Sequence, residues 1–543
     1  MTRSKPGKGL RAGLPAMLLL AAAWPAMAGA GAPERDGTIV IRGGTIYDGS
    51  SATPVTGDVV IRGDRIVRVG PAGKARVRGA RVIDATGMIV APGFIDTHTH
   101  SDRFLMGDTP ELRLNLPWMM QGVTTIFTGS DGNGQPGGKV DVGGLLSHVE
   151  SAGHGLNVAA YVGFGAVRQA VLKSDARAPD DAELARMKAM VAKGMCEGAL
   201  GLSTGLFYAP QSFAKTEEVI AVTREAAVRG GFYDTHQRDE SSDSIGLLNS
   251  VQEVIRIGRE TGIPVHFSHF KAAGPGVHGK SVDMIAAVEA ARAEGVKVTA
   301  DQYPWAASQT SLAALLVPRW AVAGGMEAFR KRLDDPAQAA KIRQDMAASL
   351  KLRGGPSTML LPSKNKPWTG KRLAEIAGEW NVDPIEAALR VILDPDGANS
   401  AISFGMHNDD ITRLMKQPWV MTGSDGSQGH PRMYATYPEK YARYVLAEKA
   451  ITLADFINSS SGRVADTFRL DRRGHLRPGY FADIVVFDPA AYRPRADYVN
   501  ADRLSEGVRT LLVNGALAIE GGKPTGAAAG RALRKTPPAG TCA

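Results

Sequence analysis

The feature that most constrains this chain is a rhythm running through its middle. Short apolar runs at 89–95, 123–128, 157–162, 231–235, 265–268 and 296–300 read as buried strands. Between several of them, 182–193, 217–228, 249–260 and 282–294 carry apolar residues at helical spacing. Strands that alternate with helices are joined by crossovers, which place them parallel in one sheet and set the class as α/β. An alternation sustained over about 380 residues suits a (β/α)8 TIM barrel with insertions. The more helical and polar stretch 325–400 reads as one such insertion.

Both ends of the chain supply further β-rich runs, at 38–42 and 58–61 and again at 482–487 and 509–515. The simplest assembly is a small β-sandwich built jointly by the two ends and flanking the barrel. The expected organisation is therefore a leader at 1–28, a first sandwich part at 29–90, a catalytic barrel at 91–474, a second sandwich part at 475–535 and a flexible tail at 536–543.

The leader reading rests on order. Arg3, Lys5, Lys8 and Arg11 precede the apolar run 14–24, and Ala-x-Ala sites follow at 26–28 and 28–30. That is the pattern of a cleaved signal peptide, with an uncleaved N-terminal anchor as the alternative. The apolar run falls short of the ~20 residues of a membrane span. Cleavage makes the mature protein secreted, and periplasmic if the source is a Gram-negative bacterium. The chain has a net charge of +9, and four of its positive charges lie in this leader, leaving +5 spread along the rest. No Lys/Arg block marks a nucleic-acid groove. The partner to expect is a small molecule, with no nucleic acid and no stable membrane insertion. Cys196 and Cys542 do not make a disulfide framework and read as structurally incidental.

The chemistry begins at Gly93-Phe94-Ile95-Asp96-Thr97-His98-Thr99-His100. Residues i and i+2 of an extended segment share a face, so His98 and His100 can present two imidazoles to one metal, and imidazole suits zinc. An H-x-H pair alone also occurs where two histidines merely pack. Here His236, His269 and Asp425 follow in chain order, each just past an apolar strand. In a barrel, such positions converge on one mouth. His266 alternates away from them and is left out.

These segments, with Gly122-Val123-Thr124-Thr125, 198–210, 235–240, 268–271, Asp301-Gln302-Tyr303-Pro304, 423–426, His430-Pro431-Arg432 and 478–488, resemble the amidohydrolase superfamily. Within it they are similar to the D-aminoacylases (N-acyl-D-amino-acid deacylases), over nearly the whole mature chain. The resemblance implies a zinc-dependent hydrolase that cleaves the amide bond of N-acyl-D-amino acids to a D-amino acid and a carboxylate. It implies a tightly held zinc on His236, His269 and a cysteine after the second strand. In this chain Asp131 of Gly129-Ser130-Asp131-Gly132 stands at that cysteine's position. A carboxylate keeps the charge, offers a harder ligand and can bridge two ions, so a second Zn2+ has a place. The alternative is that Asp131 only hydrogen-bonds within its loop. By the same resemblance Asp425 is the general base, and Lys271, Tyr303 and Arg432 meet the substrate. Gly163-Phe164-Gly165 departs from a family pattern that often has histidine between the glycines.

Asp96, Asp102, Asp234 and Asp239 are candidates to support the histidines from behind. Competing readings are a dipeptidase acting on D- or modified peptides, a cyclic-amide hydrolase, and a binding protein that lost its chemistry with the cysteine. Related cyclic-amide enzymes bridge two metals with a strand-four lysine, and 198–204 contains none.

Overall fold

The computed structural model describes residues 37–73 and 77–542. The expected leader lies outside the described residues. Parallel strands organise the middle: β1 (Phe94–Asp96), β2 (Val123–Thr128), β3 (Asn157–Ala160), β4 (Gly201–Gly205), β5 (Phe232–His236), β6 (Val265–Phe267), β7 (Val298–Gln302) and β8 (Val420–Thr422). Strands β1, β2 and β3 form one three-stranded parallel sheet. Strands β4 to β8 pair in order in a second sheet, whose outer member is the short strand Val162–Gly163, two residues beyond β3.

Backbone bonds also join the two sheets. Leu200 N–H donates to Ala160 O over 2.8 Å, and Asp425 N–H donates to His98 O over 2.9 Å. Thr99 and Gly426 form an isolated parallel bridge.

Helices connect these strands because their apolar residues fall on one stripe. In Leu247–Thr261, between β5 and β6, Leu247, Val251, Val254, Ile255 and Gly258 are buried at spacings of three and four. The helix stops at Gly262, whose φ of 69° suits a left-handed cap. Helix Asp181–Cys196, before β4, starts with a reciprocal Asp180/Glu183 capping box.

The two ends join in one nine-stranded sheet, meeting where Ile484–Phe487 runs antiparallel to Ile89–Pro92. Alternation along Ile484–Phe487 divides its side chains. Ile484 and Val486 pack with Ile41, Val59 and Leu512 in a local core, while Val485 and Phe487 belong to the main core of the parallel strands.

Between β7 and β8 the chain builds a four-stranded antiparallel sheet from Ser308–Ser311, Ser400–Ser403, Met359–Leu361 and Lys371–Arg372. It has its own apolar cluster, including Leu312, Phe329, Ile342, Leu361 and Ile392. The elaborated segment therefore begins at Ser308, earlier than the expected 325.

The reading of the cysteines needs correction. Cys196 and Cys542 form a disulfide across a sequence separation of 346 residues. The segment leading to Cys542 is not loose: Val158 N–H donates to Arg531 O over 2.9 Å, Leu533 N–H to Val158 O over 2.7 Å, and Lys535 N–H to Gly198 O over 3.0 Å. The terminal residues run parallel beside β3, with Ala532 bridged to Val158, and on to the turn before β4. Among the described residues no helix is long and apolar enough to cross a membrane.

Candidate metal centre and active site

The residues singled out from the sequence meet beyond the ends of β1, β2, β5, β6 and β8. Asp131 is the hub. Its carboxylate lies 3.5 Å from His98 Nε2, 3.4 Å from His100 Nε2, 3.8 Å from His236 Nδ1 and 3.6 Å from His269 Nε2. Asp425 joins from the other side, 3.6 Å from His98 Nε2 and 3.1 Å from His100 Nε2. His98, Asp131, His236, His269 and Asp425 are buried, and His100 is partly exposed.

Local backbone geometry aims these groups. Asp131, His269 and Asp425 adopt φ of 56°, 36° and 49°, a region non-glycine residues rarely occupy. Such conformations persist where the surroundings over-determine them, commonly at functional sites. For Asp131 the clamp is Gln211: its side-chain N–H donates to Asp131 O (2.8 Å) while its Oε1 accepts from Gly205 N–H (2.7 Å). Gly205 has to be glycine, because a Cβ there would stand 2.4 Å from Asp131 O. For His269 the clamp is Asp301, which accepts its N–H at 2.6 Å and also binds Thr97 Oγ1 (2.8 Å) and His266 Nε2 (3.0 Å). His266, set aside in the sequence, thus braces Asp301 from behind.

Of the four supporting aspartates expected, none reaches a ring nitrogen of the candidate ligands. Asp96 ties β1 to the β8 end, accepting from His98 N–H, Trp118 Nε1 and Ser424 N–H. Asp239 holds the following loop by accepting from the N–H groups of Ser241, Asp243, Ser244 and Gly246. Asp234 accepts from Ser268 Oγ, and Asp102 from Thr128 Oγ1 at 3.4 Å. The ring nitrogens face Asp131, Asp425 and Glu240 instead.

This donor set fits a cation better than it fits itself. Both ring nitrogens of His98, both of His236 and Oδ1 of Asp131 are buried without a hydrogen-bond partner. Orphaned polar atoms in such a place call for an explanation. Separations of 3.4–3.8 Å are too long for good hydrogen bonds. They do match the edge, about 3.4 Å, between ligands sharing one tetrahedral ion at bonds of about 2.1 Å. One ligand atom from each of His98, Asp131, His269 and Asp425 falls within a sphere of mutual distances under 4.8 Å.

Protonation agrees. Although burial opposes it, the neighbouring imidazoles of His98, His100 and His269 hold the Asp131 carboxyl well below the usual range, so it is an anion. Burial lowers the His236 pKa to about 3, leaving a neutral ring with a free lone pair. His100 and His269 are the exceptions: burial lowers both, but the carboxylates around them, Asp131 and Asp425 at each and Glu240 also at His269, outweigh it and raise both to about 10, so with only these anions beside them the rings are charged.

The remaining three candidates stand beside this cluster. Tyr303 is buried, with a hydroxyl that has no partner. Its ring is flanked by Lys271, whose Nζ is 5.6 Å from the centroid, and by Arg432, whose guanidinium is 4.9 Å away. Lys271 Nζ donates to Glu240 Oε1 at 2.7 Å, and Arg432 Nη1 lies 2.7 Å from Asp425 Oδ2. Glu240 was not singled out from the sequence. A cavity of about 380 Å³ lined by His100, Asp131, Tyr208, Gln309 and Asp425 opens over the cluster. A larger one, about 470 Å³, is lined by Lys416, Lys449, Arg463 and others and shares no residue with it.

A family model for the amidohydrolase family matches residues 81–519, a span that contains every residue of this cluster. The chain belongs to the amidohydrolase family. It is 32% identical to the D-aminoacylase of Alcaligenes xylosoxydans xylosoxydans over 521 residues, covering 92% of this chain and 98% of that one. It is 33% identical to the N-acyl-D-glutamate deacylase of the same organism, with 92% and 96% covered. Among solved structures it is similar to the N-acyl-D-glutamate deacylase of Bordetella bronchiseptica complexed with zinc and a phosphonate inhibitor that mimics the tetrahedral intermediate. That structure superposes with a TM-score of 0.77 at 30% identity, covering 92% of this chain and all of the other. The buried cluster gives this amidohydrolase a site able to bind metal.

Proposed function

We propose that this protein is a zinc-dependent N-acyl-D-amino-acid deacylase, releasing a D-amino acid and a carboxylate from a linear amide. The observation that carries the reading is the buried Asp131 carboxylate amid four imidazoles, in a chain about a third identical over most of its length to a D-aminoacylase and an N-acyl-D-glutamate deacylase. The eight parallel strands, linked at Leu200–Ala160 and Thr99–Gly426, are read as one closed (β/α)8 barrel. Its C-terminal mouth is where such barrels place their chemistry.

His236, His269 and Asp131 would hold the tight zinc, with His98, His100 and Asp425 offering donors for a second ion that Asp131 could bridge. Bound zinc would supply a nucleophilic water at neutral pH and polarise the scissile carbonyl. Asp425 takes the proton from the attacking water and passes it to the departing nitrogen, which would otherwise leave as an amide anion. Arg432 and Lys271 receive the free carboxylate of the substrate, Arg432 as a two-pronged donor. Drawing Arg432 toward that carboxylate frees Asp425 Oδ2 for its proton. Tyr303, with an unused buried hydroxyl between the two cations, donates to the oxyanion. The signal-peptide pattern supports a secreted protein, periplasmic if the source is a Gram-negative bacterium.

The test is a panel of N-acetyl-D- and N-acetyl-L-amino acids, assayed before chelation, after it, and after zinc is restored. D-selective turnover that follows zinc supports the assignment. Hydrolysis of cyclic amides or dipeptides in its place would move the protein to another branch of the family. Bound zinc without turnover of any amide would favour a binding protein.

A further inference from the structure

Three buried or largely buried cations surround the pocket, and each has its own carboxylate: Arg432 with Asp425, Arg353 with Asp243, and Lys271 with Glu240. The first two pairs involve residues that the loops hold by other contacts as well. Glu240 differs. Its carboxylate is buried, Oε1 lies 2.7 Å from Lys271 Nζ and 3.2 Å from His269 Nδ1, and Oε2 lies 3.7 Å from His236 Nε2. Lys271 Nζ in turn stands 2.6 Å from His269 Nδ1 and 3.0 Å from His269 O. One carboxylate thus touches the back of two histidines and the head of the lysine beside them.

Two roles fit this position. His236, Glu240 and His269 could together ligate an ion, since their donor atoms lie within 4.8 Å of one another. The ammonium of Lys271 stands against that, for it already donates to Glu240 Oε1, and a dication beside it on the same carboxylate would repel it strongly in a buried site. The other role is orientation of the lysine: Glu240 Oε1 accepts from Lys271 Nζ at 2.7 Å while His269 O accepts from it at 3.0 Å, which fixes the ammonium between the two.

We propose that Glu240 is a positioning residue that fixes Lys271 where the substrate carboxylate arrives, without itself being a metal ligand. The assignment rests on the deacylase reading of Lys271 as a contact of the substrate carboxylate. A lysine carries four rotatable bonds, and freezing them in advance removes that entropy cost from substrate binding. Because Glu240 acts through Lys271, its effect depends on whether the substrate has a carboxylate.

The test compares N-acetyl-D-leucine with N-acetyl-D-leucinamide, which lacks the free carboxylate, on zinc-loaded protein. Glu240→Ala raises KM for the acid by about tenfold or more, the weight of a charged hydrogen bond. It leaves KM for the amide within about twofold. Glu240→Gln, which keeps an oxygen acceptor at the same reach, recovers most of the loss. On a Lys271→Met background, Glu240→Ala has no further effect on the acid. Zinc content by mass spectrometry stays at the parent value in both Glu240 variants. Zinc loss would overturn the assignment by making Glu240 a ligand, and an equal KM rise for acid and amide would overturn it by making the role merely structural. A parent protein that turns over neither compound overturns the deacylase reading and this assignment with it. Parent turnover with an unselective variant overturns this assignment alone.

Discussion

Replacing Asp131 by Asn changes one charge at nearly constant volume, which makes it the sharpest perturbation of the metal cluster. The wild-type carboxylate is 4% exposed and faces four imidazoles at 3.4–3.8 Å. Removing the anion leaves a bound dication among neutral rings, with Asp425 as the nearest remaining carboxylate of the cluster. Deleting one partner of a buried charge pair costs about 3–5 kcal/mol. At about 1.4 kcal/mol per tenfold, zinc affinity should fall by roughly two to four powers of ten. The assay is competition with a chromogenic chelator, with circular dichroism confirming that the variant is folded. Asp131→Cys is the control, since a thiolate restores the negative charge as a softer ligand, and it should keep zinc. An Asp131→Asn protein whose zinc affinity stays within about threefold of the parent would refute the ligand role, because the buried-charge cost could then not be present.

Other substitutions probe neighbouring parts of the account. Arg432→Lys keeps the charge but loses the planar fork, and should raise KM for N-acyl-D-amino acids by about ten- to hundredfold in steady-state kinetics. Gly163→Ala would place a Cβ 2.1 Å from Gly134 N and 2.6 Å from Gly132 O. It should destabilise the fold by about 1–3 kcal/mol in urea titration and lower zinc occupancy by displacing the Asp131 turn. Cys196→Ala should leave kcat unchanged while lowering the unfolding midpoint, because its disulfide closes a loop of 346 residues. Chain entropy sets a ceiling of about 6 kcal/mol on that loss, and measured losses are usually about 2–4 kcal/mol.

What could be read from the sequence was local and periodic. His98 and His100 were visible because residues two apart on an extended segment share a face. His236, His269 and Asp425 were visible because each follows an apolar run. Asp131 was legible only through the family resemblance, since nothing in Gly129–Gly132 taken alone announces a ligand. Glu240 escaped notice because it lies in a loop four residues past His236, and its partner Lys271 is joined to it only by the fold. The alternation that points to its neighbours points away from His266, whose part emerges only from the fold: it braces Asp301, whose other oxygen holds the His269 backbone. The Cys196–Cys542 bond was hidden by its separation and by a Pro/Gly/Ala-rich approach that looks mobile as a sequence. The joint sheet of the two ends was expected in composition but not in form, because alternation fixes which residues share a face and says nothing about what covers that face.

Hydrolysis of N-acyl-D-amino acids at this cluster of histidines and carboxylates is read out from a racemate. Zinc-reconstituted protein incubated to completion with N-acetyl-DL-leucine should stop at half conversion, with free D-leucine and intact N-acetyl-L-leucine resolved on a chiral column, and no release after chelation. Release of L-leucine, or release unaffected by chelation, would contradict it.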